Sequence, residues 1–437
     1  MTLKQILIDQ AIIARNFFEV SLPLRRLRAR PLAALPQAVS RFLVIPGDAS
    51  NPSGSLGDMA MFSALLQALR ARHPNATFTI VGTHTHRIDV PGIGEVPVAA
   101  AWIGRSGSAA FDVLLRQHHA LFVMGADILD GKYGAALVQR IVTYCNHSVR
   151  LGIPATTLGF SFNRSPRWPT LHALSRLHPK VTVNVRDQPS LDRFTQMTGI
   201  AATLCADVAF LMPPAGEPEP EAEAWIAAMR AAGRHPVGVN LNAHALAPAL
   251  AAAGTDALIT HLAEQLRLAG EADRLAFMLI PHDFKPQAGD VAMLQAIEKQ
   301  LHQNGFPHVR YTPIHRSDRI KRVAGQLDLV ITGRMHLAIA SLGSGTPILS
   351  ITYQDKFEGL YQHVDLPLEH TLLPLNCLGD AFSIKIRHAF RQRQANRERI
   401  RARLPQVQAL SARNLDIAGR DVQRVETCPV TTATNKT

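Results

Sequence analysis

The chain runs to 437 residues, 47% hydrophobic and 18% charged, the balance of an ordinary globular protein and more length than one core normally holds. Cys145, Cys205, Cys377 and Cys428 lie far apart with no Cys-x-x-Cys pair, which argues against a disulfide scaffold or a structural zinc site and for reduced thiols in the cytoplasm. A formal charge of +12 asks for an anionic partner; with few aromatics and no nucleic-acid signature among the basic residues, a nucleotide, phosphate ester or membrane surface ranks above nucleic acid.

The start, MTLKQILIDQAIIARNFFEV, places Leu3, Ile6, Leu7, Ile13, Phe17 and Val20 on one helical face. Asp9, Gln10 and Arg15 interrupt the apolar run and no small-residue cleavage site follows, so it does not read as a signal peptide. With Arg25, Arg26, Arg28 and Arg30 behind it, this segment either lies on an anionic membrane, at the inner face, or packs onto the protein's own body. No uninterrupted apolar run of about 20 residues occurs, so no membrane-crossing helix is expected.

From residue 41 the pattern alternates strand, turn and helix. RFLVIPG, TFTIVGT, HALFVMGADI, PATTLGFSF and VTVNVRD are apolar strands, separated by segments of helical spacing such as LGDMAMFSALLQALRAR. LMPPAGEPEPEAEAW (211–225) interrupts with prolines and acids, and the alternation restarts with HPVGVNLN, LAFMLIPHDF, HVRYTP, LDLVITGRM and TPILSIT. Such repetition predicts parallel βαβ units in two successive doubly wound α/β halves. The expected organisation is an amphipathic, basic extension (1–40), a first domain (41–212), a linker (213–235), a second domain (236–380), and basic helices with a polar tail (381–437).

Ligands of such sheets sit beyond the carboxyl ends of the strands, and between two domains the cleft is the expected site. The residues that follow each strand are therefore the informative ones. NPSGSLGDMAM brings Gly54, Gly57 and Asp58 to a helix start, either an anion-binding turn or a plain strand-to-helix turn capped by Asp58. It is neither a P-loop nor the dinucleotide fingerprint. MGADILDGKYG brings Asp127, either a hydrogen-bond partner for a sugar hydroxyl or a helix cap. VNVRDQPS places Arg186 at a strand tip, where it either grips an anion or pairs with Asp187. CADVAF places Asp207 nearby in support, and PHDF offers His282 and Asp283. His84 and His86 have metal-ligand spacing but no matching third group, so no metal is expected.

TGRMH carries the strongest signal. Arg334 and His336 emerge where a strand meets a helix, a rigid cationic fork beside a proton that titrates near neutrality. TYQDKFEGL then adds Lys356 after the next strand.

In this order, these motifs resemble those of the polysaccharide pyruvyltransferase family, over roughly residues 41–365. The resemblance implies two Rossmann-like domains facing across a cleft, as in GT-B glycosyltransferases, with the second binding the donor. It implies transfer of pyruvate from phosphoenolpyruvate to two hydroxyls of a glycan or lipid-linked oligosaccharide, giving a cyclic ketal and phosphate with no cofactor. Arg334 and His336 then serve donor binding and acid–base chemistry, and Arg186 contacts the donor. A doubly charged donor calls for several cations, so Lys356 joins them as substrate-binding. Gly57 and His282 line the site, and either Asp127 or Asp58 engages the acceptor. Where relatives often carry another glycine, this chain has Ala126. Two other classes compete: a GT-B glycosyltransferase using a nucleotide sugar, and a catalytically silent glycan- or membrane-binding protein.

Overall fold

The computed structural model of the protein describes residues 3–28, 40–213, 216–285, 289–352 and 356–417, with side chains described except at 3–5 and 356. Tyr353, Asp355, the Lys356 side chain, Arg30 and the polar end of the tail with Cys428 lie outside the described residues.

The strands of the first half are β1 (Arg41–Ile45), β2 (Thr77–Gly82), β3 (His86–Val90), β4 (Gly94–Ala100), β5 (Ala120–Val123), β6 (Ala155–Phe160), β7 (Thr182–Val185) and β8 (Thr203–Leu204). They form one eight-stranded sheet in the order β3-β4-β2-β1-β5-β6-β7-β8. Every pairing is parallel except that of β3 with β4. The second half contributes β9 (His235–Asn240), β10 (Leu275–Leu279), β11 (Val309–Tyr311), β12 (Leu329–Thr332), β13 (Ile348–Ile351) and β14 (Thr371–Leu372). Its six-stranded, all-parallel sheet has the order β11-β10-β9-β12-β13-β14. Central strands such as β5, β10 and β12 are buried at every position, which is why they read as unbroken apolar runs rather than alternating ones.

Strand order reverses between β1 and β5 in one sheet and between β9 and β12 in the other. Loops diverge at these points and leave a hollow beyond the strand ends. The β3–β4 hairpin escapes the apolar-run pattern because its strands lie at the sheet edge and alternate buried with exposed positions.

The stretch read as a linker holds a helix, Pro220–Ala231. Proline in the first turn and Glu221 and Glu223 beside it favour a helix start as readily as a linker. The acids are engaged by the second half: Glu221 with Arg310 at 2.6 Å and Glu223 with Arg322 at 2.7 Å.

At the N-terminus the helix Leu3–Asn16 runs through a wider turn, Phe17–Ser21, into the helix Leu22–Leu27. Val20 and Leu24 are buried in the first half, and Asp9 is buried in an ion pair with Arg167. Leu7, Ile8 and Phe18 of the same segment stay exposed, so the segment packs on the body along one side and leaves an apolar shoulder in solvent. Among the described residues no helix is long and apolar enough to cross a membrane.

At the other end, the helix Ala381–Arg391 covers the second sheet, while the helix Arg393–Ala412 crosses back to the first half. There Ser411 Oγ donates to the Asp207 carbonyl at 2.8 Å. Asn414 accepts from Gly159 N at 2.7 Å and donates to the Ala206 carbonyl at 2.8 Å.

Candidate active site

Both switch points open onto one cavity of about 550 Å³ between the halves, within the ~300–1,000 Å³ range of small-molecule sites. Gly57, Asp58, Asp127 and Arg186 line it from the first half; His282, Arg334 and His336 line it from the second.

Three of these groups meet across the domain boundary. Arg186, directly after β7, is buried with Nε donating to Ser161 Oγ at 2.6 Å and Nη1 to Asp207 Oδ2 at 3.1 Å. From the second half, His336 Nε2 lies 3.7 Å from the same Asp207 oxygen, and Nε2 is buried without a hydrogen-bond partner. Asp207 is itself held, its Oδ1 accepting from Ala209 N at 3.0 Å where it caps the short turn Val208–Leu211. The imidazole packs on Gly57: a Cβ there would lie 2.3 Å from His336 Nδ1. Only a glycine lets the helix Leu56–Arg72 approach the start of the helix Met335–Leu342 so closely.

Arg334 occupies the N-cap of Met335–Leu342 and reaches Asp290, with Nη2 and Nε at 2.6 and 3.2 Å from Oδ1 and Nη1 at 3.5 Å from Asp283 Oδ2. Asp290 is wholly buried, and its Oδ2 accepts from Asn240 Nδ2 at 2.7 Å and from the backbone N–H groups of His282 and Asp283. This network fixes the Pro281–Asp283 turn and the guanidinium together.

The structure gives each arginine a carboxylate partner, Asp207 for Arg186 and Asp290 for Arg334. A buried guanidinium cannot stay charged at tolerable cost without one. Even so, among the described residues Arg186 keeps its Nη2 donors unengaged, and Arg334 Nη1 makes only the 3.5 Å contact. A further cation, Lys285, lines the cavity. It went unread because it follows PHDF in a loop with no motif of its own.

Two capping alternatives and one pairing alternative do not hold. Ser55, not Asp58, caps Leu56–Arg72, its Oγ accepting from Asp58 N at 3.1 Å and donating to Asp58 Oδ2 at 2.7 Å. Asp127 does not cap the following helix, which begins at Ala135 behind Gly134; it stands near Tyr133 Oη (3.4 Å) and Lys132 Nζ (3.8 Å). Asp187 caps Gln188–Thr198 and so is no partner of Arg186. His282 and Asp283 both turn their backbone N–H groups to Asp290.

Burial raises the Asp58 carboxyl above its ordinary range, opposed by the Ser55 hydrogen bond and by His336 and Lys285. Burial, then the neighbouring His336 and Arg334 charges, hold His282 well below the usual imidazole value. The site thus sets a carboxyl inclined to keep its proton beside an imidazole inclined to lose one. Among the described residues no group of three or more His, Cys, Asp or Glu side chains could hold a metal ion, and His84 and His86 lie on the exposed surface before β4.

Two Rossmann-like units with a shared site at their strand ends define the GT-B architecture. Solved structures with this fold align over most of the chain. One described as a UDP-N-acetylglucosamine 2-epimerase, from Listeria monocytogenes, matches at a TM-score of 0.53 and 10% identity, covering 88% of this chain and 95% of its own. The UDP-GlcNAc 2-epimerase of Neisseria meningitidis, bound to UDP-GlcNAc, matches at 0.51 and 8%, covering 86% and 99%. At such identities they define the fold alone. A comparison with curated protein sequences finds no match. The family model described as polysaccharide pyruvyl transferase matches residues 56–355, more than half of the chain, and the protein belongs to that family.

Proposed function

We propose that the protein transfers pyruvate from phosphoenolpyruvate to two hydroxyls of a glycan sugar, forming a cyclic ketal and releasing phosphate. The observation that carries this reading, beside the family, is the convergence of Arg186, Arg334 and His336 from two halves on one cavity. The unengaged guanidinium donors suit the carboxylate and phosphate of the donor, with Lys285 adding charge; Lys356 remains a proposed contact on sequence grounds.

His336 Nε2 is a buried ring nitrogen with no partner. It delivers a proton to the methylene carbon of the donor, making a methyl group and leaving C2 cation-like. The first sugar hydroxyl adds to C2 and gives up its proton to a base, for which Asp127 is our candidate. Phosphate leaves as the second hydroxyl adds, and that hydroxyl's proton departs with it. Donor and diol thus become ketal and inorganic phosphate with all atoms accounted for. Asp207 Oδ2, 3.7 Å from His336 Nε2, faces the imidazole from the first half. Asp58, inclined to stay protonated, can donate a hydrogen bond to an acceptor oxygen.

The test is phosphate release from phosphoenolpyruvate, dependent on added lipid-linked or free oligosaccharide. His336→Ala should lower turnover by roughly 10²–10⁴-fold with the melting temperature preserved. Turnover only with a nucleotide sugar would move the assignment to a glycosyltransferase. Acceptor-dependent phosphate release untouched in His336→Ala would remove the imidazole from the chemistry.

A further inference from the structure

A second cavity, of about 830 Å³, lies between the N-terminal helices and the helix Ala135–Arg150. Four arginines line it: Arg25 and Arg28 from the N-terminal segment, Arg150 from the end of Ala135–Arg150, and Arg176 beyond it. No aspartate or glutamate lines it, and among the described residues none of the four arginines has an ion-pair partner. The carboxylates packed nearby are already engaged. Asp112 takes Arg116 at 2.9 Å and His147 at 2.7 Å, Glu19 takes Arg15 at 3.0 Å, and Asp9 takes Arg167. The segment that follows Arg28, residues 29–39 (ARPLAALPQAV), contains no carboxylate either.

Buried polar atoms in the same cavity also lack partners. Gln139 is 5% exposed, and neither amide atom is hydrogen-bonded. His147 is 2% exposed; its Nε2 lies on Asp112 while Nδ1 has no partner, and Arg28 Nε is likewise buried and unpaired. Native interiors rarely leave several such groups unsatisfied together unless water, an ion or a ligand completes them. Burial, then the like charges of Arg150 and Arg25, lower the Arg28 guanidinium from its ordinary value, in keeping with a lining that holds no carboxylate.

Its other wall is apolar. Ile13, Phe17, Phe18 and Leu24 face it, and Leu7, Ile8 and Phe18 continue as exposed apolar surface along the same segment. A free phosphate needs no such shoulder; a headgroup still attached to its acyl chains does.

We propose that this cavity takes the phosphate headgroup of an anionic lipid, with the apolar shoulder of the N-terminal helices seated among the acyl chains, and so docks the protein on a membrane. The helix Ala135–Arg150 also links the two cavities: Leu137 near its start lines the candidate active site, while Gln139, Val142 and Arg150 further along line the cationic one. Docking therefore sets the catalytic cleft a fixed distance from the lipid surface. The membrane contact itself requires no turnover and stands apart from the transferase reading.

The test is co-sedimentation of the full chain with phosphatidylcholine vesicles, with and without phosphatidylglycerol. Arg150→Glu with Arg176→Glu changes two exposed, unpaired residues; Arg399→Glu with Arg403→Glu makes the same change in net charge on the remote C-terminal helix. The wild type should bind phosphatidylglycerol vesicles, and the cavity pair should weaken binding by at least about tenfold at the ~1 kcal/mol that each basic group contributes near such a surface. The control pair should remain within about threefold, since neither residue lines the cavity. Equal losses in both pairs would reduce the effect to overall charge and overturn the site. Absence of vesicle binding by the wild type overturns the proposal, and so does calorimetric binding of inorganic phosphate or glycerol phosphate without vesicle binding, which assigns the cavity to a soluble ligand. Should the cavity pair lose its thermal transition, Phe18→Asp on the exposed shoulder replaces it, with the same loss expected.

Discussion

Replacing Gly57 with alanine tests whether the approach of the two halves sets the reactive imidazole. The added Cβ would sit 2.3 Å from His336 Nδ1 and 2.8 Å from its Cγ, against an ordinary contact of 3.4 Å or more. The ring, or the whole helix Met335–Leu342, must then move by about 1.1 Å, the difference between 3.4 and 2.3. A displacement of ~1 Å at a reacting group costs on the order of 10²-fold in turnover. Stability should change far less. Gly57 is the second residue of its helix, where only part of the ~1 kcal/mol that alanine gains in a helix interior is available, so overpacking at ~1–3 kcal/mol leaves a net loss of about 1–2 kcal/mol. The assay is kcat for acceptor-dependent phosphate release, beside a denaturant midpoint. Turnover within about twofold of wild type at an unchanged midpoint would refute the argument, because the ring would then be neither wedged by residue 57 nor sensitive in its placement.

Ala126 sits at φ +61, a conformation costing a non-glycine residue ~1–2 kcal/mol. Ala126→Gly should therefore raise stability by about 0.5–1 kcal/mol after the entropy of the unfolded chain is subtracted, read as a higher midpoint in urea. Asp290→Asn strips the charge that Arg334 rests against within a wholly buried network; stability should fall by ~3–5 kcal/mol, checked by thermal melting. Lys321 is buried, with its ammonium on the Met212 carbonyl, and burial lowers its pKa from 10.5 to about 8. A lowered lysine means that the unfolded chain binds more protons between the two values, so stability rises with pH from about 8 to 10.5. Measured against Lys321→Met, which lacks this titration, the wild type should gain up to about 3 kcal/mol over that window. A pH-independent difference would show that the ammonium is not desolvated. His282 acts in the acid range: held below 6.5, it makes stability fall as pH drops below about 6.5, seen as a midpoint shift that His282→Asn diminishes.

The fold was legible where burial on both faces makes the pattern unambiguous. RFLVI, ALFV and LAFML have no exposed face and therefore no competing helical reading. The site was legible for a related reason: in parallel sheets, chemistry collects immediately after strands, so Arg186, Arg334 and His336 could be picked out by position. What sequence could not provide was pairing across the halves. Nothing near Arg334 announces Asp290, forty-four residues earlier, and nothing near Arg186 prefers Asp207 over the adjacent Asp187. Asp187 looked like the partner, but its backbone position at a helix start commits its oxygen to Ser190 N. The helix Pro220–Ala231 was hidden because proline and glutamate describe both a linker and a helix's first turn.

These cross-domain pairings explain why the basic C-terminal region, outside the family resemblance, belongs to the working molecule. Asp207 bears on both Arg186 and His336, yet it sits just past β8, a two-residue edge strand that by itself fixes little. The polypeptide returning from the second half supplies the rest: Ser411 holds the carbonyl of Asp207, and Asn414 ties Ala206 to Gly159. The segment that bridges the halves is thus the one that immobilises the carboxylate shared by Arg186 and His336. This brace is hydrogen-bonded to the first half, whereas His336 is carried by the second. The spacing between imidazole, carboxylate and guanidinium therefore depends on how the two halves sit against each other.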